Sequence, residues 1–246
     1  MKKALRFTLP LLPVAAVAGY FITGYQLESL NPALLADTVA QVGSLGVLTA
    51  ITVLQTVAYA AACGFLGYLL AEKLGLMKPI RLEKKPLLVT LALSLVCGIL
   101  FSLDYWTFGA WMPELRAGLD RITLNNWLGS ILYGGMVEEL MLRLFMMSLI
   151  AWLLWKLFCR KAEKPPVGIL AGANILAAML FAAGHLPATY MLFGSLTPLL
   201  LIRCFLLNGG FGLLFGWLYR KYGIQYAMLS HALLHIVSKL IWTAFL

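Results

Sequence analysis

From residue 7 to residue 245 the chain is a succession of apolar stretches about as long as a bilayer is thick, separated by short charged or turn-rich breaks. A hydrocarbon core of about 30 Å takes about 20 helical residues to cross, and stretches of that order fall at 7–25, 39–71, 87–108, 127–158, 167–192, 198–219 and 224–245. Inside lipid no water satisfies a backbone N–H or C=O, so each stretch is expected to be helical. The fold class that follows is all-α: a polytopic membrane helix bundle of about seven transmembrane helices, with six to eight compatible with the breaks. Residues 1–246 read as a single integral membrane domain whose motif-bearing core is approximately 127–245. The composition agrees, with 62% hydrophobic residues, 12% charged residues and a mean hydropathy of +0.89.

The net charge of +9 excludes less than it suggests, because its position matters more than its size. Lys73, Lys78, Arg81, Lys84 and Lys85 fill one break, Lys156 to Lys164 another, and Arg220 with Lys221 a third. The alternate breaks hold Glu28 and Asp37, then Asp104, Glu114, Arg116, Asp120 and Arg121, then no charge between Pro187 and Pro198. The positive-inside rule accounts for this alternation with the amino terminus in the cytoplasm and the carboxyl terminus outside. The expected location is the bacterial cytoplasmic membrane, the partner is the lipid bilayer, and no nucleic acid is expected. The apolar part of the basic amino-terminal stretch continues to Tyr25, longer than a secretory h-region of about 7–15 residues, so it reads as a retained span. Cys63, Cys97, Cys159 and Cys204 show no CxxC spacing and signal neither a disulfide framework nor a zinc knuckle.

Stretches 39–71 and 127–158 exceed a simple crossing and are expected to tilt, break at glycine or project into water. Residues 104–126, with Trp106, Trp111 and Trp127 among charges, read as interfacial. Gly168xxxGly172 and Gly212xxxGly216 are spacings that let helices approach closely. Arg203 and Lys239 are expected to snorkel to the headgroups, and Asn208, before a glycine pair, to face a cavity or mark a kink.

The charges with no such escape lie in "YGGMVEELMLRLFMM", residues 133–147. Placing Glu138, Glu139 and Arg143 at a helix centre costs about 3 kcal/mol each before pairing. Glu139 and Arg143 are spaced i, i+4 with the acid nearer the amino end, the orientation that favours an ion pair. Glu138 projects about 100° away and has no local partner, which leaves it free for chemistry. The only histidines are His185, His231 and His235. His185 follows Phe181 by four residues, and His231 and His235 share one face of the last helix. Bundled with polar faces inward, these groups converge around one buried water. Their depths do not agree in a simple bundle: Glu138 lies 18 residues from Lys156 and His185 lies 18 from Val167, each about 27 Å, whereas His231 lies seven residues, about 10 Å, past Ile224. A fourth helix that tilts or projects would close part of this gap.

The set resembles a known family. "EELMLR" (138–143) is similar to an EExxxR motif, "FAAGH" (181–185) to an FxxxH motif, and "HALLH" (231–235) stands in place of an HxxxN motif. These are the motifs of the CPBP family, the CAAX-prenyl-protease and bacteriocin-processing (Abi-like) membrane proteases, and the likeness covers 138–235. It implies an intramembrane glutamate-type endopeptidase that acts on a membrane-associated protein or peptide: CAAX-type, pheromone or bacteriocin leader. Glu138 would be the general base, since a carboxylate placed among apolar side chains suits taking a proton from water. His185 would hold the water and pass its proton to the leaving amine. His231, with His235, would donate to the oxyanion. Glu139, Arg143 and Phe181 would support these four. His235 stands where the family commonly has Asn, and a neutral imidazole keeps a donor there while adding a metal ligand. Glu138, His185, His231 and His235 are thus also a zinc ligand set. With no HExxH present, no cofactor is expected and zinc is the alternative. The competing classes are a proton-coupled transporter and a non-catalytic immunity or scaffold protein; the confinement of unusual polar residues to the second half argues against the paired repeats of a transporter.

Overall fold

The computed structural model describes residues 1–30, 32–120 and 122–246; Arg121, counted above among the loop charges, lies outside them. Among the described residues there is no strand, and seven helical segments are long and apolar enough to cross a membrane. They are α1 Lys2–Ser29, α2 Leu45–Leu74, α3 Lys84–Ala110, α4 Leu124–Phe158, α5 Val167–Phe193, α6 Pro198–Tyr222 and α7 Ile224–Phe245. The chain is an integral membrane protein with the expected all-α fold.

Stretch 39–71 breaks at a glycine, one of the outcomes expected of its length. Residues Pro32–Val42 form a separate helix, and α2 begins only at Leu45. Two residues divide them. Gly43 has φ 99°, a backbone region that glycine enters without steric penalty. Ser44 then caps α2 by accepting from Val47 N at 3.2 Å. Thr123 and Thr197 cap α4 and α6 in the same way, accepting from Asn126 N and Leu200 N.

The other over-long stretch is α4. Its 35 residues would extend about 52 Å at the α-helical rise, well beyond a hydrocarbon core of about 30 Å. The excess length leaves α4 room to tilt or project, and Glu138 and His231 meet at 3.8 Å despite their unequal distances from the ends of their spans. The segments Ser130–Glu138 and Leu140–Met147 are π-helical. Closing i to i+5 is rare and tends to occur at functional sites, and here it spans the three charged residues.

Cross-links fix which ends meet. Glu28 at the end of α1 accepts from Thr123 Oγ1 and Asn125 Nδ2 at the start of α4, each at 2.6 Å. Trp242 Nε1 near the end of α7 donates to Ser102 O near the end of α3 at 2.9 Å. At the opposite pole Tyr226, in the first turn of α7, donates to Arg81 O in the α2–α3 connection at 3.2 Å. The basic connections thus gather at one pole. The ends of α1, α3, α5 and α7 and the starts of α4 and α6 gather at the other. The core, with Val137, Leu140, Leu144, Met147, Phe215 and Tyr219 almost wholly buried, lies where α4 is enclosed by α2, α5 and α6.

Candidate active site

Glu138, projecting from the π-helical turn of α4, stands between two imidazoles from distant parts of the chain. Its Oε1 is 3.9 Å from His185 Nε2, and its Oε2 is 3.8 Å from His231 Nε2. Both separations are too long for a direct hydrogen bond and short enough for one solvent molecule to reach all three groups. His231 and His235 are stacked with ring centroids 5.2 Å apart. All four sequence-predicted residues are therefore brought to one place.

Each imidazole is oriented through its other nitrogen. His185 Nδ1 is 2.8 Å from Phe181 O, and His231 Nδ1 is 2.8 Å from Glu139 Oε1. A carbonyl and an ionised carboxylate can only accept, so in the neutral rings Nδ1 carries the proton and Nε2 presents a lone pair. The gap at Glu138 is then walled by acceptors: two imidazole nitrogens and two carboxylate oxygens. Water, with two protons to donate and a nucleophilic oxygen, complements such a gap.

Phe181, Phe215 and Arg143 hold His231 and Glu139 in place. His231 stacks on Phe215 at 4.5 Å and meets Phe181 edge-on at 5.8 Å. Arg143 Nη1 lies 3.3 Å from Glu139 Oε1, as the i, i+4 spacing predicted, while the guanidinium sits over Phe181 at 4.3 Å and Phe215 at 5.4 Å. Glycines let the helices close on this centre. A Cβ at Gly134 would lie 3.1 Å from His231 Nε2 and 3.3 Å from His235 Nε2, and one at Gly212 would lie 2.9 Å from Arg143 Nη2.

The constellation opens into a cavity of about 810 Å³. Its deep wall includes Glu138, His185, His231 and His235; its rim includes the exposed Glu28, Glu114 and Gly118. The mouth is therefore at the pole away from the basic connections. Among the described residues no group of three or more His, Cys, Asp or Glu side chains is arranged to hold a metal ion.

Sequence reasoning missed three features. The His231–Glu139 contact joins residues 92 apart in the chain, and no local spacing announces it. Arg203 does not snorkel: Nε donates to Asp104 Oδ1 at 2.9 Å and Oδ2 at 3.1 Å, and Asp104 is buried. Both residues lie near the same pole on spans of opposite direction, a signal that could have paired them. Lys239 does not reach the headgroups either; it is 3% exposed and lines the cavity, because it continues the inward face of His231 and His235 by one more turn. Asn208 lines the cavity within a π-helical turn, Phe205–Gly209, and donates to Cys204 O at 3.1 Å.

Seven spans around a half-buried carboxylate and imidazoles that line one cavity place the protein among helical intramembrane proteins with a polar site. Residues 121–237 match the model of type II CAAX prenyl endopeptidase, Rce1-like, proteins. The matched stretch is just under half of the chain, contains Glu138, His185, His231 and His235, and is similar to the CPBP/CAAX proteases, a family of membrane peptidases. No curated protein and no solved structure matches the chain.

Proposed function

We propose that the protein is an intramembrane endopeptidase that hydrolyses a peptide bond of a membrane-associated protein or peptide with a water activated by Glu138 and histidine. The observation that carries this reading is Glu138 held between His185 Nε2 and His231 Nε2 at 3.9 and 3.8 Å. The water donates one proton to Glu138 and the other to an imidazole Nε2. Its oxygen bonds to the scissile carbonyl carbon as Glu138 takes the proton, and the carbonyl π pair moves to oxygen. His235 is the preferred oxyanion donor, because the Nδ1 proton of His231 is committed to Glu139 whereas His235 Nδ1 is buried with no hydrogen-bond partner. Collapse of the intermediate breaks the C–N bond, and the proton held by Glu138 passes by way of His185 to the departing amine.

No metal has a part in this scheme; zinc held by Glu138, His185, His231 and His235 is the alternative. Purified protein in detergent, given a farnesylated peptide ending in Cys-aliphatic-aliphatic-Xaa, tests both points by mass spectrometry of the products. Glu138→Gln is expected to lose about 10²- to 10⁴-fold in rate, the usual worth of a positioned general base, and a chelator to leave the parent rate unchanged. Parental cleavage by Glu138→Gln removes the role of the glutamate. Loss of activity with chelator that zinc restores transfers the reading to the metal.

A further inference from the structure

Four acidic or basic side chains other than histidine are buried in the described residues: Asp104, Glu139, Arg143 and Lys239. Three are compensated. Asp104 holds Arg203 through two oxygens, and Glu139 holds Arg143 and His231. Lys239 has no partner: no hydrogen bond or ion pair to its ammonium occurs among the described residues, although the side chain is 97% withdrawn from solvent. An isolated ammonium inside a membrane bundle is expensive, and such residues mark sites where a partner arrives from outside. Lys239 lines the same cavity as Glu138, one turn beyond His235 and two beyond His231.

We propose that Lys239 is a specificity-determining residue which binds a carboxylate of the substrate, namely the free carboxyl terminus of the peptide chain; this rests on the endopeptidase reading above. The helix sets the spacing. Eight residues separate His231 from Lys239, about 12 Å along the axis of α7. An extended peptide covers about 3.3–3.6 Å per residue, so a carboxylate held by Lys239 places a peptide bond three to four residues upstream beside His231 and Glu138. The neighbouring cation, Arg203, cannot take this part, since Asp104 already occupies it. Phe101 and Trp242, which pack together beside His235 and line the cavity, provide apolar wall for the intervening side chains. An acidic side chain at the same distance from an internal bond presents the same chemistry as a chain terminus, so the test separates the two.

Binding is measured on the full-length Glu138→Gln protein, which keeps bound peptide intact under the endopeptidase reading. Three fluorescent farnesylated peptides are compared by anisotropy: the free acid, its carboxyl-terminal amide, and the amide carrying Asp as its last residue. The free acid is expected to bind about ten- to a hundredfold more tightly than the plain amide, the range of a charge-assisted hydrogen bond. Lys239→Met is expected to abolish that preference without weakening the amide, and Lys239→Arg to restore most of it. If the Asp-bearing amide binds as the free acid does while the free acid shows no advantage over it, the chain terminus is replaced by an internal acid as the ligand and the proposal as stated fails. Equal binding of acid and amide, absence of binding by either included, overturns it, as does an equal loss for both in Lys239→Met. The endopeptidase reading fails by a different result, absence of cleavage of the farnesylated free acid by the parent protein.

Discussion

Replacing Gly134 by alanine tests whether the imidazoles owe their positions to the backbone of α4. The new Cβ would stand 3.1 Å from His231 Nε2, 3.4 Å from His231 Cε1 and 3.3 Å from His235 Nε2. Relaxed contacts between such atoms lie at about 3.5–4.0 Å, so both rings must move by about 0.4 Å. His231 has little room, being fixed by Glu139 at 2.8 Å and stacked on Phe215 at 4.5 Å. Overpacking of this kind costs about 1–3 kcal/mol, offset by about 1 kcal/mol because alanine is the better helix former, for a net loss of about 0–2 kcal/mol. Activity should fall further than stability: a 1 Å misplacement costs about a hundredfold, so a shift of this size costs about tenfold in kcat/KM. Gly172→Ala is the control, since a Cβ there meets nothing within 4 Å. The assay pairs kcat/KM on the farnesylated peptide with Tm in the same detergent. Parental values of both for Gly134→Ala would refute positioning of the histidines by van der Waals contact with Gly134.

Three further outcomes follow from the geometry. Glu139→Gln leaves the buried guanidinium of Arg143 without its counter-charge and should cost about 3–5 kcal/mol; in Tm measurements the double variant Glu139→Gln/Arg143→Met should recover part of that loss, and a Tm of the single variant equal to the parent would show the pair to be idle. Asp104→Asn releases Arg203, whose side chain is 17% exposed to the cavity, so water reaches the freed charge and the loss should be smaller, about 1–2 kcal/mol; a loss as large as that of Glu139→Gln would count against this ordering. With the four native cysteines replaced by alanine, a cysteine at Gly118 on the rim should react with a membrane-impermeant maleimide in intact cells, while one at Glu163, in a basic connection, should react only after lysis. The reverse pattern turns the molecule over in the membrane.

The seven spans were legible because lipid allows so few alternatives: a stretch of some twenty apolar residues has only the helix in which to satisfy its backbone. The break in 39–71 was expected at a glycine, but its position before Leu45 was not, because Gly43 and Ser44 act through a turn and a cap that hydropathy does not register. The convergence of Glu138, His185, His231 and His235 was legible from their types and helix faces, and only the depths counted from Lys156, Val167 and Ile224 spoke against it. The small-residue spacings divided. Nothing approaches within 4 Å of a Cβ at Gly168 or Gly172, whereas Gly212 lies against Arg143 and Gly216 against Asn174. The spacing is the same in both, so what decides is which face of the helix meets a neighbour, a property of the fold and not of the interval. The π-helical turns of α4 left no mark in the sequence that spacing rules can read.

Under the endopeptidase reading proposed above, burial and charge together bear on what the cavity would hold. A buried charge must be matched, and the fold matches nearly all it contains, with Glu139 against Arg143 and His231 and Asp104 against Arg203. Each of these pairs is internal to the protein and gains nothing from a guest. Two groups facing the cavity are left out of this matching. Among the described residues, Glu138 faces the imidazole nitrogens of His185 and His231 beyond hydrogen-bond distance, and Lys239 makes no ion pair. Groups of opposite sign lining one cavity would have been neutralised by direct contact had the bundle drawn the two together. Held apart along α7 and α4, they leave an acceptor-lined end that asks for a proton donor and a cationic end that asks for an anion. A hydrolysable peptide with its water satisfies the first, and a carboxylate on the same chain satisfies the second.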